Sequence, residues 1–145
     1  MNKNTAVAIA TLGGIGEYKG GGTLASYCMI PFFYVPLSIN IAILICLFVL
    51  AYLTINKACS HYRKEDPRQI VIDEAIGALL LLLCFQYFWQ LSVYQMIAGL
   101  TLFRVFDITK IGGIKYAEML PGATGVIFDD LLAAAYTYFF MYLFL

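Results

Sequence analysis

The carboxylates of this chain fall mainly into four separated groups, Glu17, Asp73-Glu74, Asp107 and Asp129-Asp130, with Arg104 and Lys110 three residues to either side of Asp107. Clustered Asp and Glu oxygens suit a hard cation such as Mg²⁺, which takes oxygen ligands, keeps several waters and commonly bridges to substrate phosphate. Such an ion would offset the repulsion between carboxylates and a phosphate dianion, while Arg104 and Lys110 hold the remaining phosphate oxygens. The chemistry these residue types point to is phosphate-ester chemistry.

Asp107 follows the apolar run Leu100 to Phe106, so it lies towards a helix C-terminus, the unfavourable end for an anion. It therefore needs a cation or metal partner, and Arg104 and Lys110 are near enough on a helix to supply one. The adjacent pairs Asp73-Glu74 and Asp129-Asp130 are expected at helix starts, where the helix dipole favours them without any ligand. Neighbours on a helix point about 100° apart, so one member of each pair is expected to face away from a shared centre.

Other chemistries lack their residues. There is no GxxxxGK[ST] loop, no Cys followed six positions later by Arg, and no DxDx[TV] pair. His61, the one histidine, sits in a stretch that reads as a solvated connection. Cys28, Cys46, Cys59 and Cys84 are far apart with no zinc spacing, and are expected as buried free thiols. Gly13-Gly14-Ile15-Gly16, Gly20-Gly21-Gly22-Thr23 and Gly122-Ala123-Thr124-Gly125 could offer backbone amides to phosphate, with Thr23 as an N-cap, or serve only for close packing.

The elements that must position these residues are apolar. The chain has 145 residues, 62% hydrophobic and 12% charged, with zero formal net charge. A charged fraction of about 25% is usual in soluble domains, so a single membrane-embedded domain over residues 1–145 is expected, with no basic tract for nucleic acid. Leu37 to Ile55 approaches the roughly 20 residues that cross a bilayer core. Leu24 to Val35, Ala75 to Trp89, Val93 to Phe106 and Leu131 to Leu145 are shorter apolar stretches. Lys3 precedes a short run, Ala6 to Leu12, that faintly suggests a signal peptide; it lies at the lower limit for the apolar region of one and Gly13-Gly14 interrupts it, so it is expected to be retained.

Short uncharged breaks near Pro36 and Gln90-Leu91-Ser92 alternate with the basic stretches Lys57 to Arg68 and Asp107 to Pro121. By the positive-inside rule the basic stretches face the cytoplasm, together with Lys3 and Lys19. Threading the chain accordingly predicts an all-α, polytopic membrane bundle of four to five short helices, with a polar site at its cytoplasmic ends. Every acidic group then sits at that end. A small cation-transport subunit with acids along a pathway is the non-enzymatic alternative, but it predicts carboxylates spread through the membrane depth. A compact soluble bundle is disfavoured because Leu37 to Ile55 has no polar stripe.

Four motifs, in order, resemble the phosphatidylglycerophosphatase A family from about Ala10 onward. They are Gly21-Gly22-Thr23 with Ser26 and Ile30-Pro31-Phe32; Ile70-Val71-Ile72-Asp73-Glu74 with Gly77; Phe103-Arg104-Val105-Phe106-Asp107 with Lys110; and Gly122 and Gly125 with Asp129-Asp130. The resemblance implies a multi-pass enzyme of the bacterial inner membrane that hydrolyses phosphatidylglycerophosphate to phosphatidylglycerol and phosphate with Mg²⁺. Asp73, Glu74, Asp107, Asp129 and Asp130 are the expected metal ligands and general base, and Arg104, Lys110 and Thr23 the phosphate-binding residues. Glu17 is a further candidate. Two departures stand out. The family tends to have Pro-Gly-Thr where this chain has Gly21-Gly22-Thr23, and Lys-Pro-Trp-Pro where it has Lys110-Ile111-Gly112-Gly113. Glycine in place of proline raises the entropy lost on ordering those loops.

Overall fold

The computed structural model describes residues 1–64, 67–89 and 91–144. Glu65 and Asp66 of the expected solvated connection, Gln90 of the expected turn, and Leu145 lie outside them. The described residues form seven α-helices and two short 3-10 helices, with no strand. The all-α class is as expected; the count exceeds four to five because short helices fill the connections.

α1 (Lys3–Ala10) lies against α3 (Leu37–Tyr62). Between them run a 3-10 turn at Ile15–Glu17, α2 (Gly21–Tyr27) and a second 3-10 helix at Ile30–Tyr34. The stretch Leu24 to Val35 is thus not one helix. Pro31 lacks the N–H for an i→i−4 bond and its ring clashes with the preceding turn, so the chain tightens into 3-10 geometry. The second 3-10 helix is fastened by side chains: Asn40 Nδ2 donates to Phe32 O at 2.6 Å, and Gln86 Nε2 to Phe33 O at 3.0 Å and Val35 O at 2.7 Å.

α3 extends to Tyr62, so Lys57 to Tyr62, including exposed His61, belongs to the helix and not to a loop. α4 (Ile72–Phe88) and α5 (Val93–Thr109) follow, close to their expected positions. α5 opens with a reciprocal capping box: Gln95 N donates to Ser92 Oγ, and Ser92 N to Gln95 Oε1 at 2.9 Å. After the short α6 (Ile114–Glu118) comes α7 (Ala123–Phe144), which begins eight residues before the expected Leu131. Its first N–H, from Ala123, is taken at 2.9 Å by Asn56 Oδ1 of α3.

Apart from Asp73, Glu74 and Gln86, α4 is apolar all round, and it is the central helix, buried between two cores. On one side Leu82, Phe85 and Ala78 meet Met96, Leu100 and Phe103 of α5 and Ala133 of α7. On the other, Ile72 and Ile76 meet Ile55 and Ala58 of α3 and Ile127 of α7. Alanine and glycine at these contacts let the helix axes approach closely, the packing that serves where lipid and not water surrounds the bundle.

The outward faces are equally apolar. Ile45, Val49 and Leu53 on α3, and Phe139, Tyr142 and Leu143 on α7, are exposed. α3 and α7 are long and apolar enough to cross a membrane, at about 1.5 Å per residue. At the end opposite the carboxylates, Trp89 stacks on Tyr138 at 5.3 Å and packs against Tyr142, a placement suited to a membrane–water boundary. These features suggest a membrane protein. The four cysteines are free thiols as expected, but Cys28 and Cys46 are exposed and not buried.

Candidate active site

The carboxylates meet where α4 begins, α5 ends and α7 has run two turns. Asp73 and Glu74 lie in the first turn of α4, as expected. Asp129 and Asp130 do not start a helix; they lie inside α7, whose first turn is Ala123 to Val126. The helix-dipole account therefore fits Asp73-Glu74 and fails for Asp129-Asp130. Gly77 makes the convergence possible: a Cβ there would stand 2.8 Å from Phe103 Cζ and 3.1 Å from Asp130 O. Without one, the α7 backbone closes on α4 beside its acidic turn.

Asp73, Glu74 and Asp130 each offer an oxygen, and these atoms lie within 4.8 Å of one another. Asp73 is 7% exposed and Asp130 2%. Glu74 Oε2 and Asp130 Oδ1 are buried with no hydrogen-bond partner among the described residues. Buried carboxyl oxygens in that state are costly unless a proton or a cation satisfies them. An oxygen-seeking divalent ion fits this donor set, whereas the neutral imidazoles and thiolates preferred by softer metals are missing from it.

Two cations tie the other acids to this group. Arg104 Nη1 reaches Asp107 Oδ2 at 2.5 Å and Glu74 Oε1 at 3.4 Å. Lys110 Nζ donates to Asp107 Oδ1 at 2.9 Å and also to Asp129 Oδ2. Asp107 thus has the cationic partners its helix-end position demanded, one on each oxygen. Lys110 can bridge because it ends α5 in the left-handed region, φ 48°, turning its side chain back over the last turn. Burial alone would lower the pKa of the Lys110 ammonium, but the charges of Asp107 and Asp129 outweigh it and raise the pKa above the ordinary lysine range.

The adjacent pairs behave differently from one another. Both Asp73 and Glu74 enter the three-carboxylate group, while Asp130 enters it and Asp129 turns to Lys110. Arg104 and Lys110, expected to hold phosphate, are engaged with carboxylates. Thr23 is not an N-cap: Gly20 takes that place at φ 83°, and Thr23, half-buried, lies in the first turn of α2. Glu17 stands apart, exposed and accepting from Tyr62 Oη.

Gly22 is the residue whose role was hidden. A Cβ there would collide with Glu74 Oε1 and stand 2.8 Å from Arg104 Nη2. Of the two sequence readings of this glycine run, phosphate loop or close packing, the geometry at Gly22 is close packing, directly over the charged network. Ser26 Oγ, buried one turn on, donates to Gly22 O at 2.9 Å and holds that turn.

The chain matches the family profile of phosphatidylglycerophosphatase A over residues 8–145. Among curated sequences it is 33% identical over 119 residues to a putative phosphatidylinositol-3-phosphatase of Bacteroides thetaiotaomicron, covering 79% of this chain and 70% of that one. It is 34% identical over 90 residues to phosphatidylglycerophosphatase A of Haemophilus influenzae, covering 61% of this chain and 53%, about half, of that relative. No solved structure matches it.

Proposed function

The chain belongs to the phosphatidylglycerophosphatase A family and is a phosphatase, and from that premise we propose that it hydrolyses phosphatidylglycerophosphate to phosphatidylglycerol and inorganic phosphate in a Mg²⁺-dependent reaction at the cytoplasmic face of the membrane. The observation that carries this reading is the buried three-carboxylate group with unsatisfied oxygens on Glu74 and Asp130, which suits a hard cation and, through it, a phosphate monoester.

Asp73, Glu74 and Asp130 would hold the ion. When bound, Mg²⁺ supplies positive charge that draws electron density from phosphorus and offsets the repulsion between substrate phosphate and carboxylates. The protein's own work is positioning. Arg104 ties Glu74 to Asp107 through one guanidinium nitrogen, and Lys110 fixes Asp107 against Asp129. An incoming phosphate dianion competes for these same two cations, so part of the guanidinium and ammonium charge passes from carboxylate to phosphate oxygen as substrate binds. A carboxylate released in that exchange can accept a proton from the attacking water. The new P–O bond forms as the ester P–O bond breaks, and the proton taken up by the carboxylate passes to the departing glycerol oxygen, which leaves as an alcohol.

The name of the Bacteroides relative favours a second substrate, a phosphoinositide 3-phosphate. Both candidates are phosphomonoesters on a lipid headgroup. The test is phosphate release by the purified full chain from each lipid, with Mg²⁺ and with chelator, beside Asp107→Asn and Asp130→Asn. Metal-dependent release from phosphatidylglycerophosphate that both substitutions abolish is expected. Release without metal, or full activity in both variants, would overturn the site as drawn.

A further inference from the structure

A cavity of about 830 Å³ opens between the end of α3, α6 and the start of α7, and none of the five clustered carboxylates lines it. Arg63, Lys64 and Lys115 stand around it, with Glu118 as the single acid among the described residues that line it. The positive-inside rule explains basic residues at this end of the bundle, but it does not explain why three of them, from connections about fifty positions apart, border one concavity.

Its walls are tied together. Arg63 caps α3 in the left-handed region at φ 55°, its N–H on Cys59 O. Asn56, one turn into the wall, holds the Ala123 N–H and so joins α3 to α7. Gly122 and Gly125 let the α6–α7 connection close: a Cβ on the first would stand 2.7 Å from Asn56 Oδ1, and one on the second would collide with Leu120 O. The same connection leaves Met119 74% and Leu120 43% exposed at the cavity's edge.

We propose that this cavity binds the phosphodiester of an anionic phospholipid, as a second lipid site beside the carboxylate centre. Three cations meet the phosphate oxyanion, and the cavity sits at the polar ends of the two helices long enough to cross a membrane, which is headgroup depth. Exposed Met119 and Leu120 beside the cations suit the glycerol and upper acyl region of a lipid; a free phosphate ion would give them nothing to contact. The inference rests on reading α3 and α7 as membrane spans, not on which lipid the carboxylate centre cleaves.

The test titrates the full chain in neutral detergent with phosphatidylmethanol, an anionic diester without a phosphomonoester, and with phosphatidylcholine, counting retained lipids by native mass spectrometry. Preference for phosphatidylmethanol is expected. In Arg63→Gln/Lys64→Gln/Lys115→Gln it should weaken on the order of a hundredfold, from roughly a factor of five per charge. Lys3→Gln/Lys19→Gln/Arg68→Gln, removing equal charge from the same end, should keep it. Equal loss in both triple variants, or none in the first, would overturn the site, and competition by millimolar inorganic phosphate would overturn its assignment to lipid. Phosphate release from phosphatidylglycerophosphate, followed in parallel, separates this outcome from failure of the catalytic reading.

Discussion

Substituting Gly22 by alanine should separate activity from stability. The position is helical, without a positive φ, so the change on its own favours folding by about 1 kcal/mol through helix propensity and chain entropy. The added methyl, however, would occupy the place of Glu74 Oε1 and lie 2.8 Å from Arg104 Nη2. Both are tips of flexible side chains, so they swing aside while the backbone stays. Losing a buried ionic partner outright costs about 3–5 kcal/mol, but Arg104 keeps Asp107, and the residual cost is nearer 1 kcal/mol. The two effects roughly cancel, and the melting temperature should move by no more than about 4 °C. Glu74, by contrast, must shift by something like the length of a bond, and a misplacement of about 1 Å at a reacting centre costs on the order of a hundredfold in rate. The measurement is phosphate release from phosphatidylglycerophosphate beside a thermal melt in the same detergent, with Leu24→Ala, exposed on the same helix, as control. Wild-type turnover in Gly22→Ala would refute the placement of Glu74 and Arg104 at the reacting centre. A collapse of the melt together with activity would refute the claim that the side chains yield before the backbone.

Lys110→Met should lower stability by about 3 kcal/mol, because it withdraws the cation shared by Asp107 and Asp129, whose side chains are 10% and 4% exposed; thermal unfolding reads this, and Lys110→Arg should recover part of it. Asp130→Asn should reduce phosphate release by roughly 10²–10³-fold while leaving the melt near wild type or higher, since it removes a buried charge with an unsatisfied oxygen. Gln86→Leu should do the reverse: the carbonyl of Phe33 loses its side-chain donor and that of Val35 keeps only the longer bond from Asn40 Nδ2, costing about 1–3 kcal/mol, with turnover per folded molecule unchanged. A cysteine at Ser92 should label from the side opposite the basic connections; labelling from the cytoplasm would contradict the threading.

How far the sequence could be read depended on whether the deciding partner was near in the chain. The demand of Asp107 for a cation was legible because the anion, its unfavourable helix end and both partners lie within seven residues, and Arg104 and Lys110 meet it from the expected sides. The break of Leu24 to Val35 was missed, although Pro31 carries its signal locally, because hydropathy alone hides it. The start of α7 was not legible either. Gly122-Ala123-Thr124-Gly125 has the composition of a loop, and the partner that takes the first N–H of the helix begun there is Asn56, sixty-seven positions earlier. The earlier start puts Asp129 and Asp130 in a helix interior and not at a helix start, and so changes the reason they can be there.

The two glycines nearest the carboxylates carry the same lesson into function. Gly77 and Gly22 look alike in sequence, each beside a functional motif, yet they clear space for different things. At Gly77 the neighbours are the Phe103 ring and the Asp130 backbone, which cannot retreat cheaply; at Gly22 they are the ends of Glu74 and Arg104, which can. Gly77→Ala should therefore push α7 from α4, lowering stability and activity together, whereas Gly22→Ala lowers activity alone. If the charged network were an incidental surface cluster, neither substitution would touch turnover except through folding. The contrast between the two variants, measured in one preparation, thus tests whether the converging helix ends were brought together for chemistry or only for packing.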